Sequence, residues 1–128
     1  MPAFDSWAIA DAVAQAGAKR VVADPSRLDE IEGWTRADDL WTRRAALIFT
    51  LPFTKLRHPT PMERAARDRI LGWCAGYADD PAWSIQKAVA WWVRELSKKD
   101  AARARAFLDA HGERLKPWAA KEAARHLS

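Results

Sequence analysis

A single cysteine, Cys74, rules out an internal disulfide. No apolar run approaches the roughly 18–20 residues that a membrane span needs. The opening stretch, Met1 to Val13, carries acid early and no basic n-region, so it does not read as a secretion signal. Together these point to a soluble, cytoplasmic protein of a reducing compartment, with no membrane partner. No segment alternates with period two over a useful length, so no strand is expected. Phosphate-loop, dinucleotide-loop and nucleophile-elbow motifs are all missing. His58, His111 and His126 lie far apart and match no metal spacing. No metal or organic cofactor is therefore expected. Cys74, mid-helix beside Trp73, reads as a buried small residue.

What the chain does have is apolar and helical. Its 128 residues are one domain's worth of material, 49% apolar and 30% charged. The 21 basic residues against 17 acidic ones give +4, a mild basic bias compatible with nucleic acid. Eight tryptophans stand beside one tyrosine.

Helix signals recur along the chain. Asp5 or Ser6 can cap a helix to about Val22, and Ser26-x-x-Asp29 resembles a capping box for a short helix through Trp34. Asp38 and Asp39 can cap a third helix, which Pro52 should end or kink. Thr60-Pro61-Met62-Glu63 is a full capping box opening a helix to about Tyr77. Asp80-Pro81 repeats the device for a helix to about Lys98. Asp100 caps another, which His111-Gly112 ends, and Pro117 opens the last, to about Leu127. The longer connection runs from Phe53 to Pro59.

The helices resemble one another. Trp7-Ala-Ile-Ala-Asp11-Ala-Val-Ala matches Trp83-Ser-Ile-Gln-Lys87-Ala-Val-Ala. The stretch Asp39-Leu-Trp41-x-x-Arg44-Ala-Ala follows the same pattern, and Trp118-Ala-Ala-Lys121 is a weaker copy. The successive steps from Asp11 to Arg44, to Lys87 and to Lys121 lie between about thirty and forty-five residues, the period of two-helix solenoid repeats. The reading is an all-α solenoid of about seven helices over residues 1–128, with an ordinary helical bundle as the alternative. Equivalent positions in a stack form a row, so Asp11, Arg44, Lys87 and Lys121 mark a candidate groove.

Three helices carry candidate chemistry. From Trp83 to Lys98, at about 100° per residue, Ile85, Val89, Trp92 and Leu96 fall on one side, with Val93 nearby. Lys87, Trp91, Arg94 and Lys98 fall on another, where cations suit phosphates and an indole suits a sugar, base or cation. Trp91 and Trp92 cannot both face the core. Trp92 is expected to be buried and Trp91 to line a groove. In the first helix Trp7 and Asp11 are one turn apart, and the surrounding alanines leave room beside the carboxylate. In the third, Arg44 lies among Leu40, Trp41, Leu47, Ile48 and Leu51, so it needs an anion, Asp11 or a phosphate, to offset desolvation. Arg43 points away and is expected in solvent.

These residues resemble the AlkD-like DNA alkylation repair enzymes, HEAT-like-repeat DNA glycosylases. The resemblance is carried by Trp7-x-x-x-Asp11, by Asp39-Leu-Trp41-Thr-Arg-Arg44-Ala-Ala, by the long stretch Gln86-Lys87-Ala-Val-Ala-Trp91-Trp-Val-Arg94-Glu95-Leu-Ser-Lys98, and by Lys121-Glu-Ala-Ala-Arg-His-Leu. These occur in the family's order and resemble roughly the C-terminal half of a typical member. The resemblance implies a basic groove for duplex DNA with alkylated bases. It implies excision of N3- and N7-alkylated purines, and a separate N-terminal repeat segment as partner. By position it makes Asp11 the catalytic carboxylate, Trp7 and Trp91 the cleft tryptophans, and Arg44 the cleft arginine. Lys87, Arg94 and Lys98, with Arg44, are the expected DNA contacts. A carboxylate near C1′ would stabilise the oxocarbenium-like sugar and orient or deprotonate water. The alternatives are a non-catalytic helical-repeat scaffold that binds nucleic acid or protein, and an incomplete fragment that needs N-terminal repeats.

Overall fold

The computed structural model describes residues 27–127. The expected first helix, with Trp7 and Asp11, lies outside them. The described residues form six α-helices and two 3₁₀ turns, with no strand among them. The helices are α1 (Leu28–Trp34), α2 (Leu40–Ile48), α3 (Pro61–Tyr77), α4 (Trp83–Ser97), α5 (Ala101–His111) and α6 (Pro117–Ala123). The 3₁₀ turns are Leu51–Lys55 and Gly112–Arg114.

Local capping chemistry sets most of these boundaries. Asp39 accepts from the Trp41 backbone N–H, and Asp100 from that of Arg103. Thr60 and Glu63 close a reciprocal box at the start of α3, with Pro61 in the first turn, where its missing N–H costs nothing. One expected cap is corrected, and another falls partly outside the described residues. At α1 the cap position falls on Arg27, which makes no side-chain cap, while Ser26 of the expected box lies outside the described residues. At α4 the Asp80 carboxylate accepts instead from Ala82 N–H at 2.9 Å, a side-chain turn, and the helix starts at Trp83 with Ala82 in the cap position. The last helix also stops earlier than Leu127, at Ala123. Pro52 does not end α2 directly. That helix closes at Ile48, and Pro52 sits near the start of the 3₁₀ turn that follows.

The packing is that of paired helices in two layers. The even helices are neighbours in sequence of pairs: α2 packs on α4 and α4 on α6. Among the odd ones, α3 packs on α5, and α1 is tied to α3 by Glu32, which accepts from the Trp73 indole and the Arg69 guanidinium. This is the arrangement of an α-solenoid of helical repeats, and it sets Arg44, Lys87 and Lys121 on successive helices of one layer.

The core runs between the layers. Ile85, Val89, Trp92, Val93 and Leu96 of α4 are fully buried against Leu47, Ile48, Phe53, Ile70 and Ala104. Cys74 is buried among them, and burial pushes its thiol up. Two buried polar side chains hold the connections. Gln86 donates to the carbonyls of Ala78 and Asp80 and accepts from Lys116 N–H. Arg67, 2% exposed, donates to the carbonyls of Phe53 and Leu56 and reaches the Asp100 carboxylate at 3.4 Å. Arg67 thereby fixes the 3₁₀ connection between α2 and α3 onto the cap of α5.

Candidate nucleic-acid interface

The site is built on α4. Its apolar residues recur so that one stripe meets the core, and the remaining positions turn toward α6 and solvent. Trp92 is 0% exposed, and its indole N–H donates to Thr50 Oγ1 at 3.2 Å. Trp91 is only partly buried. The adjacent indoles therefore divide as their positions on the helix require.

Trp91 lines a pocket of about 250 Å³ together with Lys87, Arg94 and Glu122. Lys87 is exposed and Arg94 half-buried. Glu122 comes from α6, and its Oε1 takes a short contact from the Arg94 guanidinium. Arg94 Nε also lies 3.7 Å from Glu95, whose other partner is Lys98 at 2.9 Å. Burial pulls the Glu95 carboxyl up, but Lys98, Arg94 and Lys55 outweigh it and hold the group below its ordinary value. Two of the expected DNA contacts, Arg94 and Lys98, are thus balanced by carboxylates in the free protein.

The stripe extends one turn further back than the sequence reading placed it. Trp83 is 57% exposed and stacks on Trp118 of α6, with ring centroids 6.1 Å apart. Lys87 Nζ lies 5.9 Å from the Trp83 ring centre. The face therefore runs Trp83, Lys87, Trp91, Arg94, Lys98, with indoles and cations interleaved. Glu122 was missed because its pairing with Arg94 joins residues 28 apart in sequence. The only signal was its place beside Lys121 in the weak third copy of the repeat.

Arg44 on α2 is buried, at 7% exposure, among Leu47, Ile48 and Leu51. It is not among the residues lining the Trp91 pocket. Asp11 and Trp7, and with them the expected Asp11–Arg44 approach, lie outside the described residues. Arg43 departs from its expected place in solvent. Its guanidinium donates to the carbonyls of Ala37 and Asp38 and reaches Asp80 at 3.5 Å. The entry to α2 and the turn before α4 offer three oxygens close enough for one fork to bridge, and these charge-assisted contacts replace water around the guanidinium. Lys121 is exposed. Among the described residues no group of His, Cys, Asp and Glu could hold a metal ion, and no helix is long and apolar enough to cross a membrane.

An indole flanked by cations on one layer of a helical-repeat stack is a surface suited to a phosphate-bearing strand, and comparison with known families decides what kind of protein carries it. Residues 1–127 match the family described as DNA alkylation repair enzyme. The chain belongs to that family. A search of curated proteins finds no match to it. Membership gives this DNA alkylation repair protein an enzymatic role in DNA repair, with DNA as its partner. The residues that the sequence singled out on α4 line the face just described, with Glu122 added from the neighbouring helix.

Proposed function

We propose that this DNA alkylation repair protein is a glycosylase that hydrolyses the N-glycosidic bond of N3- and N7-alkylated purines in duplex DNA. The observation that carries the reading is Trp91, held half-exposed between Lys87 and Arg94 in a family member whose partner is DNA. An alkylated purine already bears positive charge and leaves neutral, taking the bonding pair of the C1′–N bond with it. The sugar left behind is oxocarbenium-like, and the π-face of an indole attracts positive charge. In this reading Asp11 stabilises that cation and takes the proton of the water whose oxygen bonds to C1′. Trp7 and Trp91 flank the sugar. Arg44 holds the phosphate nearest the lesion, and Lys87, Arg94 and Lys98 hold the strand beyond it. The whole of residues 1–128 acts as one HEAT-like repeat domain, equivalent to the C-terminal half of a longer solenoid, and works with an N-terminal repeat segment.

The test is single-turnover release of 7-methylguanine from a duplex, by this chain alone and with an N-terminal repeat segment of a relative added. Release by the wild type and its loss in Asp11→Asn, with DNA binding kept, is the expected result. Release that survives Asp11→Asn unchanged overturns the catalytic assignment. Binding without release under both conditions makes the protein a non-catalytic scaffold.

A further inference from the structure

A second concavity opens beyond the C-terminal end of α4. It measures about 310 Å³ and is lined by Lys55, Arg57, Glu95, Lys98 and Lys99. Four cations meet one carboxylate there, and that carboxylate is already paired with Lys98 at 2.9 Å. Lys55, Arg57 and Lys99 are exposed. Among the described residues none of the three makes an ion pair.

The cations arrive from two directions. Lys98 and Lys99 follow the last turn of α4, where the negative end of the helix dipole favours positive charge. That accounts for two of them. Lys55 ends the 3₁₀ turn after α2, and Arg57 follows it. Neither belongs to an α-helix end that would call for a cation. They are brought to the cavity because Arg67 clamps their connection through the carbonyls of Phe53 and Leu56. Like charges repel, and the single carboxylate, already paired with Lys98, leaves the other three cations unbalanced, so the space between them attracts a further anion. The field they make is already visible in Glu95, which Lys55 helps to hold below its ordinary value despite burial.

The position suits a strand of nucleic acid. Lys98 follows Trp91 by seven residues on the same stripe of α4, about 10.5 Å at 1.5 Å per residue. A DNA strand advances about 3.4 Å of axis per phosphate, so this spans about three nucleotides. We propose that the cavity of Lys55, Arg57, Lys98 and Lys99 is a phosphodiester-binding site that grips a DNA strand about three nucleotides from the one facing Trp91. The proposal rests on the reading that Trp91 faces the damaged nucleotide. It adds a second, sequence-independent grip that would hold damaged and undamaged duplex alike.

The experiment compares two variants of the full chain by fluorescence anisotropy on a labelled duplex, with and without one 7-methylguanine, across a salt series. One is the triple variant Lys55→Gln/Arg57→Gln/Lys99→Gln, which keeps Lys98 on Glu95. The other is Lys87→Gln. Thermal melting checks that both fold as the wild type does. The triple variant should bind both duplexes more weakly by about eightfold per phosphate lost at 0.1 M salt, and its log–log salt slope should be shallower by about 0.9 per phosphate. If Lys87→Gln weakens binding and the triple variant does not, this site is overturned while the DNA-binding reading of the Trp91 pocket stands. A loss confined to the damaged duplex also overturns it, because a backbone grip cannot sense the base. If the wild type binds neither duplex at low salt, both the site and the reading beneath it fall.

Discussion

Trp91 and Trp92 are chemically identical neighbours, yet they belong to different regions of the protein. Trp92 sits in the interlayer core with its one polar atom satisfied by Thr50. Trp91 sits half-exposed in a pocket with two cations and a carboxylate. The same contrast holds along all of α4. One stripe is fully buried aliphatic and aromatic side chain, and the other interleaves Trp83 and Trp91 with Lys87, Arg94 and Lys98. One indole is needed to fill volume, and the other is kept partly in water, where a bulky apolar ring gains little by staying. A large aromatic retained at the surface between cations is better explained by what it meets than by what it stabilises.

The contrast can be broken most severely at Trp92. Trp92→Ala should cost about 3–5 kcal/mol of unfolding free energy, since it leaves a cavity between the layers. Chemical denaturation measures this, and a loss comparable to that of Trp91→Ala would erase the distinction between the faces. Thr50→Val keeps the shape but strands the Trp92 indole N–H, and should cost about 1–3 kcal/mol by the same measurement. Trp91→Ala should cost about 1 kcal/mol or less and leave the melting transition cooperative. The smallest effect is expected at Glu122. Glu122→Gln leaves Arg94 with Glu95 as its remaining carboxylate partner and removes a negative charge from the pocket. DNA affinity should rise about threefold, as expected from the ~0.7 kcal/mol between unit charges ~6 Å apart in water. Weaker binding in that variant would show that Glu122 positions Arg94 for DNA rather than competing with it.

Acid sharpens the comparison further, because the apolar stripe does not titrate. Arg69 and Trp73 hold the Glu32 carboxyl below its ordinary value. At Asp100 burial opposes ionisation, but Arg103 and Arg67 more than offset it, so that group too is held low. A carboxyl lowered in the folded state stabilises the fold fully above its unfolded value and loses that contribution as pH falls through the folded one. The melting temperature should therefore be flat from neutral pH to about pH 5 and fall below about pH 4. In Asp100→Asn the fall should be shallower. An equal fall in both would remove Asp100 from the acid response.

What the sequence made legible was what lies within a few residues along the chain. The Thr60–Glu63 box and the Asp39 and Asp100 caps close over two or three residues, and the two faces of α4 follow from its period alone. The start of α4 was misplaced by the same local logic, because a carboxylate before proline can close a turn as readily as a helix. The long-range polar ties were invisible. Arg67 reaches partners 14, 11 and 33 residues away, and nothing in its neighbourhood distinguishes it from the solvated arginine at position 64 on the same helix. Arg43 looked free because its acceptors belong to the backbone before α2 and to a turn that only the packing of α2 on α4 brings near. In the candidate site, Lys87 and Trp91 were legible from the stripe. Glu122 was not, since it enters from another helix.

Gln86 gives these two regions separate sensitivities. Its amide spans the turn before α4 and the N-cap of α6, using only neutral groups. Neither protons nor dissolved ions compete strongly for such a clasp, whereas the cations of the stripe one turn away act through charge. On the proposed reading, moderate salt would release a polyanion from the surface of α4 while the register between successive helix pairs stays locked, so the strand is let go without loosening the spine.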